Sequence, residues 1–388
     1  MPAKKFAFTG PGQKFLVITL IGVLLAVISL AQPAKSPAII AYYTGHYKSI
    51  ENYDISKLTH IVYGFARLKG SKLILGHKAD TATVKKLVSL KKQHPALKII
   101  VAFGGWGGCK TCSQVFSSGP GRIEFAESAL QLLKYFDADG LDLDWEYPSI
   151  PGYPGHSWST DDKSNFTLLL KTIAEMFSGD KELSFAAGAY QESLEKSIDW
   201  REAARYVDRI HLMTYDLRSS RHNSTGHHAP LYSTTKQNES ADYAVKYLID
   251  SGVPKSKIVI GAAFYGRVFS MTVRDNSITT RGNNLLDQPG KFKHFVLFSK
   301  LKSIESDPGG FHFYYDSIAQ AAYGFNPQRK EFVTFDNMIS VKAKAKYVLT
   351  NGLAGIMFWE LSQDKPRDGF LSVITSMLVV PPDNPKNE

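Results

Sequence analysis

Short runs rich in β-branched and aromatic residues recur along the chain, and each is followed by apolar positions at helical spacing. The runs begin at Ala38 (AIIAYY), His60 (HIVYGFA), Leu97 (LKIIVAFGG), Gly140 (GLDLDW), Leu183 (LSFAAGAY), Asp208 (DRIHLMTYD), Lys257 (KIVIGAAFYG) and Gly355 (GIMFWE). Between them lie amphipathic stretches such as ATVKKLVSLKKQH, GRIEFAESALQLLKYF, SNFTLLLKTIAEMF, WREAARYV and SVKAKAKYVLTNG, and GFLSVITSML follows the eighth run. Eight strands alternating with helices predict the α/β class and a (β/α)8 TIM barrel. A doubly wound open sheet is the competing arrangement, but no G-x-G-x-x-G follows the first strand.

One connection breaks the rhythm. Between Arg267 and Ser340 the chain spends more than seventy residues, where a barrel loop needs ~2–6. The patterns FVLFSKLKSIE, GFHFYYD and KEFVTF inside it predict a small α+β subdomain over 271–336, inserted between strand 7 and helix 7 as a wall beside the barrel mouth. The barrel itself is expected over 32–380, with a polar tail at 381–388. Residues 1–31 read as a secretory signal peptide: Lys4, Lys5 and Lys14 precede an apolar run over 15–30, and small residues end at Ala31. That run is shorter than the ~20 residues that span a bilayer comfortably. The expected location is therefore extracellular, with no stable membrane partner after cleavage; an uncleaved signal anchor is the alternative.

Composition adds limits. With 44% hydrophobic and 12% aromatic residues the chain can build a large core. The formal charge of +10 falls to +7 without the three leader lysines, and the basic residues are spread rather than blocked. No basic run interleaved with aromatics appears, so nucleic acid is not an expected partner. The two cysteines, Cys109 and Cys112, form a lone C-x-x-C. With no second pair to complete a metal site, and a leader pointing to an oxidising compartment, a structural loop disulfide is expected.

The chemistry concentrates in DGLDLDWEYP, residues 139–148. Side chains alternate along a strand, so Leu141, Leu143 and Trp145 take one face while Asp142, Asp144 and Glu146 take the other. In a barrel the apolar face packs outward on helices, and the acidic face climbs toward the C-terminal rim, where barrel active sites lie. Three carboxylates this close cannot all ionise cheaply, so at least one pKa rises. Glu146, nearest the rim, is the expected general acid, with Asp144 and Asp142 sharing charge and protons beneath it. A divalent-cation site is the other use of such a row; the lack of a histidine in it and the flanking Trp145 and Tyr147 argue instead for sugar. Other strand ends add Tyr42, Trp106, Met213, Tyr215, Asp216, Tyr265, Arg267, Trp359 and Glu360, so that aromatics ring one rim.

DGLDLDWEYP resembles the D-x-x-D-x-D-x-E signature of the family 18 glycoside hydrolases, the chitinases, and LKIIVAFGGWGG, MTYD, TGHHAPLY, GAAFYGR and GIMFWELSQD resemble that family's other strand motifs in the same order, over about Ile39 to Asp364. The resemblance implies a retaining mechanism in which the substrate's own 2-acetamido group is the nucleophile. Glu146 would be acid and then base, Asp144 would orient the acetamido group, Asp142 would share a proton behind it, and Tyr215 would hydrogen-bond the acetamido oxygen. Asp216 would contact the distorted sugar, Trp359 would floor the cleavage subsite, and Met213 and Tyr42 would line it. Trp106, Tyr265 and Arg267 are further expected substrate contacts, and Asp139 a structural residue. No cofactor or metal is implied. The expected partner is chitin or chito-oligosaccharide, acted on by a monomer.

Two departures stand out. Many members carry a Trp lining the leaving-group subsites shortly after M-x-Y-D; here RSSRHNS puts Arg221 at that position. The expected consequence is weaker stacking and a shorter or differently decorated substrate. Ala102 stands where some members have a Ser that bonds the acidic row. His227 and His228 read as loop structure, and Asn165, Asn223 and Asn238 head glycosylation sequons. With few residues after Asp364 for a further binding module, soluble or amorphous substrate is expected. The alternatives are a non-cleaving lectin-like protein, against which Glu146 stands, and an endo-β-N-acetylglucosaminidase on N-glycan cores, against which the insertion stands.

Overall fold

Period-two alternation of apolar side chains becomes two separate packing layers in the computed structural model, which describes residues 36–272, 285–300 and 310–378. The strands are β1 (Ala38–Tyr43), β2 (His60–Lys69), β3 (Lys72–Ile74), β4 (Lys98–Gly104), β5 (Gly140–Asp144), β6 (Glu182–Gly188), β7 (Arg209–Met213) and β8 (Ile258–Ala263). They continue with β9 (Tyr265–Met271), β10 (Gly290–Leu297), β11 (His312–Asp316), β12 (Ala321–Asn326), β13 (Glu331–Phe335) and β14 (Gly355–Trp359). Strands β1, β14, β8, β7, β6, β5, β4 and β2 pair in parallel in that order, and β1 pairs with β2 to close the ring. This is the (β/α)8 barrel. Along β1, Ile39, Ala41 and Tyr43 join the outer core beneath the helices, while Ile40 and Tyr42 join a small inner core with Val62, Ile100, Ala102, Val259 and Met357. The short β3, hairpinned onto β2, carries no signal in the run pattern.

The helices form where outward apolar positions meet end signals. Gly119–Phe136 starts under a Ser118 cap that accepts from Gly121 N–H, ends at Asp137 in the left-handed region, and buries Phe125, Ala126, Ala129 and Leu133. Trp200–Ala203 is one turn of the expected WREAARYV helix. At the foot of the barrel Asp139 accepts from Ile99 N–H at 2.7 Å and from Lys91 Nζ at 3.0 Å, tying β4 to the entry of β5.

The insertion begins earlier than its expected 271 boundary. Strand β9 pairs antiparallel with β10 and β13 in a second sheet of order β10-β9-β13-β12-β11. Tyr265 and Arg267 are therefore on the inserted sheet, not at the end of a barrel strand; Phe264 alone separates β8 from β9. Among the described residues the insertion is sheet apart from one turn at Phe298–Lys300. The expected signal segment and polar tail lie outside the described residues, among which no helix is long and apolar enough to cross a membrane.

The chain returns to the barrel through a buried ion pair. Lys344 on helix Met338–Asn351 and Asp336 are both fully buried. Asp336 also accepts from Ala263 N–H on β8 at 3.0 Å and from Ser340 Oγ at 2.6 Å. Removing one partner strands the other charge, so Asp336→Ala is expected to cost about 3–5 kcal/mol. Urea unfolding would measure it, and the double change to Asp336→Ala with Lys344→Met should recover much of the loss. Equal losses in the single and double variants would contradict this.

Candidate active site

Strand β5 delivers the acidic row as the alternation requires. Leu141, Leu143 and Trp145 enter the outer core. Trp145 packs on Phe116 and Phe166, so it is a core residue and no sugar platform. Asp142 is fully buried, Asp144 nearly so, and Glu146 is half-buried at the rim. The approach of β4 depends on Gly104, whose φ of +109° disfavours any side chain and whose added Cβ would lie 2.2 Å from the Asp144 carbonyl oxygen. Gly105 N–H then donates to that oxygen at 2.9 Å.

Asp142 is held by two hydroxyls. Tyr42 Oη donates to Oδ2 at 2.7 Å and Ser184 Oγ to Oδ1 at 2.6 Å. His211 completes the group, with Nδ1 2.9 Å from Tyr42 Oη and 3.4 Å from Asp142 Oδ1. Burial pushes the Asp142 carboxyl up to about 6 against the pull of both hydroxyls. Asp144 Oδ1 is buried with no hydrogen-bond partner among the described residues. Burial, and then the charges of Glu146 and Asp142, push the Asp144 carboxyl well above the usual range. Burial likewise raises Glu146 to about 7, the Asp216 charge adding to it and the Arg221 charge opposing it. The row is thus a set of carboxyls whose proton affinities all lie above the ordinary range.

The surrounding groups sort by arm. Trp359, at the end of β14, stands across the barrel from β5, with its ring 5.7 Å from the rings of both Phe65 and Tyr42. Tyr215 is buried against the inner core, its Oη 3.7 Å from Met357 Sδ, and Met213 is half-buried beside it. Asp216 sits in the left-handed region and is clamped by the insertion: Tyr265 Oη and Arg267 Nε both meet its Oδ1 at 2.5 Å. Burial alone would raise Asp216; the His228 imidazole and the Arg267 guanidinium outweigh it and hold this carboxyl ionised far below the usual range. Arg267 is itself sandwiched near Phe292 and Phe295, its guanidinium 5.1 and 4.6 Å from the two rings.

Several sequence-selected residues lie apart from the β5 row. Trp106 is 55% exposed on the β4 side, its ring 5.5 Å from Tyr153. Cys109 and Cys112 form a disulfide in the loop that follows it. Asp139 is at the barrel foot. His227 and His228 are buried; His227 Nε2 lies 3.1 Å from Asp316 Oδ2, and His228 Nδ1 3.7 Å from Asp216. Among the described residues no cluster of three or more His, Cys, Asp or Glu could hold a metal.

Sequence reading missed Ser184, His211, Phe65 and Tyr190. The signal for the first two was present: Ser184 falls between Leu183 and Phe185, and His211 between Ile210 and Leu212, each a polar side chain on the inward face of a buried strand. Ser184 supplies the hydroxyl that Ala102 cannot.

A row with raised pKa values holds more protons folded than unfolded. Stability must therefore fall as pH rises from the ordinary carboxylate range of ~4 through about 7. Asp144→Asn removes one such charge, so its melting temperature should exceed wild type by a few degrees at about pH 8 and by less at about pH 5. A gap independent of pH would place the source elsewhere.

Comparisons with known proteins bear on this geometry. The family model described as Glycosyl hydrolases family 18 matches residues 38–364. The chain is 28% identical to Chitinase A1 of Niallia circulans, covering 93% of this chain but only 62% of that relative's length. It is 30% identical to Chitotriosidase-1 of Mus musculus, covering 82% of this chain and 69% of that one. Among solved structures it is similar to a family 18 N-acetylglucosaminidase from Paenibacillus barengoltzii, with 33% identity, a TM-score of 0.78, and coverage of 88% and 100%.

Proposed function

The chain belongs to family 18 of the glycosyl hydrolases, and from that membership we propose that it is a secreted, monomeric chitinase cleaving β-1,4-N-acetylglucosaminyl linkages with retention. The observation that carries the reading is the graded row on β5: a half-buried Glu146 raised to about 7 above a buried Asp144 with an unpartnered oxygen. A rim acid that keeps its proton near neutral pH can deliver it.

In this mechanism the reacting sugar lies on Trp359, in the space bounded by Tyr42, Met213 and Tyr215. Glu146 gives its proton to the glycosidic oxygen as the C1–O bond breaks. The 2-acetamido carbonyl oxygen of the same sugar bonds to C1, giving an oxazolinium ion. Asp144 orients the acetamido group, using the free Oδ1, and balances its positive charge; Tyr215 holds the carbonyl oxygen. Asp142, whose carboxyl burial lifts to about 6, shares a proton with Asp144 as charge moves. Water then adds to C1, Glu146 takes its proton, and the acetamido bond to C1 breaks, which restores the sugar with its original configuration. Asp216, ionised and clamped by Tyr265 and Arg267, contacts the distorted sugar from the insertion wall. In this reading the leaving group lies over β6 and β7, and the rest of the polymer runs past Phe65 toward Trp106.

Release of single N-acetylglucosamine units is the second reading, favoured by the similarity to a solved N-acetylglucosaminidase. Mass spectrometry of products from an N-acetylglucosamine hexamer separates the two: dimers and longer pieces for the first, monomer for the second. Glu146→Gln, which cannot give a proton, should lower kcat by about 10²–10⁴-fold with the hexamer still bound. Wild-type activity should fall as pH rises through about 7, where Glu146 loses its proton. Intact hexamer after incubation with wild type would mean a binding protein.

A further inference from the structure

Arg221 is an exposed guanidinium in the loop after β7, stacked with its Cζ 4.1 Å from the centre of the Tyr190 ring. Among the described residues no carboxylate lies within ion-pair distance of it. The other cations of this arm are committed: Arg218 pairs with Glu239 and Arg267 with Asp216. Tyr190 is 92% buried, and its Oη has no geometric hydrogen-bond partner. Arg221, Tyr190 and His222 border a cavity of about 360 Å³. The acids that share it are already engaged or screened. Glu192 binds Lys196 and Glu239 binds Arg218, while Glu195, bonded by the Gln191 amide, is exposed to solvent. What remains is the Arg221 guanidinium with the Tyr190 hydroxyl against it, both within electrostatic reach of the acid Glu146.

We infer that this arm is a receptor for a leaving-group sugar that carries a carboxylate substituent. A stacked guanidinium is held by its aromatic partner at one face while its edge N–H groups stay free, and that edge fits a carboxylate with two parallel hydrogen bonds. The Tyr190 hydroxyl supplies a third polar contact. A neutral N-acetylglucosamine unit would meet a cation where stacking on an indole would otherwise give affinity, so it uses this arm less well. Specificity is the difference between the two, and one side chain sets it. The inference rests on the proposed hydrolysis for its rate readout and on the assignment of this arm to the leaving group; the bond cleaved and the proton path from Glu146 are unchanged.

The test compares two defined tetrasaccharides in wild type and Arg221→Gln. One is all N-acetylglucosamine; the other alternates N-acetylglucosamine with its 3-O-lactyl ether, cut at a linkage whose leaving sugar bears the carboxylate. The ratio of kcat/KM, carboxylated over neutral, should drop at least about tenfold in Arg221→Gln, the low end for one charge-assisted hydrogen bond. Raising salt from about 0.05 to 0.5 M should lower the ratio in wild type and leave it flat in the variant. Arg221→Trp should raise activity on the neutral substrate. Equal ratios in wild type and Arg221→Gln, or cleavage of the neutral substrate alone by wild type, would overturn the inference. Should wild type cleave neither, the hydrolytic reading fails instead. Calorimetric binding of the same two sugars then decides: loss of affinity in Arg221→Gln confined to the carboxylated one supports it, and equal affinities overturn it.

Discussion

Filling the inside of a parallel barrel with charge is the constraint on which the site depends. The inward layer is largely apolar, as at Ile40, Val62, Ile100 and Val259, with His60, Glu182 and Arg209 ion-paired at the foot. Strand β5 sends Asp142 and Asp144. Carboxylates in such a place are tolerable only when protonated or met by donors. The neighbours divide that task. Ser184 from β6 and Tyr42 from β1, backed by His211 from β7, meet Asp142. Little meets Asp144, and it is the one left with an open oxygen. The gradient from satisfied to unsatisfied to half-exposed runs up a single strand face. On the proposed mechanism that gradient makes the deepest acid a support, the middle one a ligand for the substrate, and the top one a proton donor.

The insertion is fastened to the barrel at two points, each by a carboxylate–cation pair. At the mouth, Tyr265 and Arg267 on β9 grip Asp216 at the end of β7. That carboxyl stays ionised because the His228 imidazole and the Arg267 guanidinium face it, in the same cleft where burial raises the β5 carboxyls. At its exit, the buried pair Asp336–Lys344 ties the returning chain to Ala263 on β8. A wall pinned at both points to neighbouring barrel strands holds Asp216 at the barrel mouth.

Much of this was legible because it follows from period. Eight runs with the right spacing gave the barrel, and alternation within 140–146 put the acids on one face. The 271 boundary was not legible, since Tyr265–Met271 continues the β8 run across a single residue; only pairing reveals that the chain has changed sheets. Trp145 shows the opposite failing. Proximity to the acids suggested a sugar contact, while its own odd position assigned it to the outer core, and the phase of the strand outranks closeness in sequence. Ser184 and His211 were readable by that same rule. Tyr190 was not, because its place beside Arg221 joins two loops that no local pattern links.

The two ends of the barrel treat their acids differently. At the foot, Glu182 begins β6 with His60 Nε2 at 3.1 Å and Arg209 Nη1 at 2.7 Å. Burial alone would raise it, but those two partners hold it down at about 2. Asp139 beside it is likewise spent on Lys91 and a backbone N–H. Where β5 and β6 enter, Asp139 and Glu182 are thus met by bases. Higher on β5 Asp142 is met by Ser184, Tyr42 and His211, whose pKa burial lowers, and Arg221 is the cation that opposes the rise of Glu146. An acid kept protonated by burial costs stability and can act near neutral pH. Arg221 lowers the proton affinity of Glu146 that burial raises, so on the recognition proposed for it the same guanidinium acts on both the acid and the leaving group.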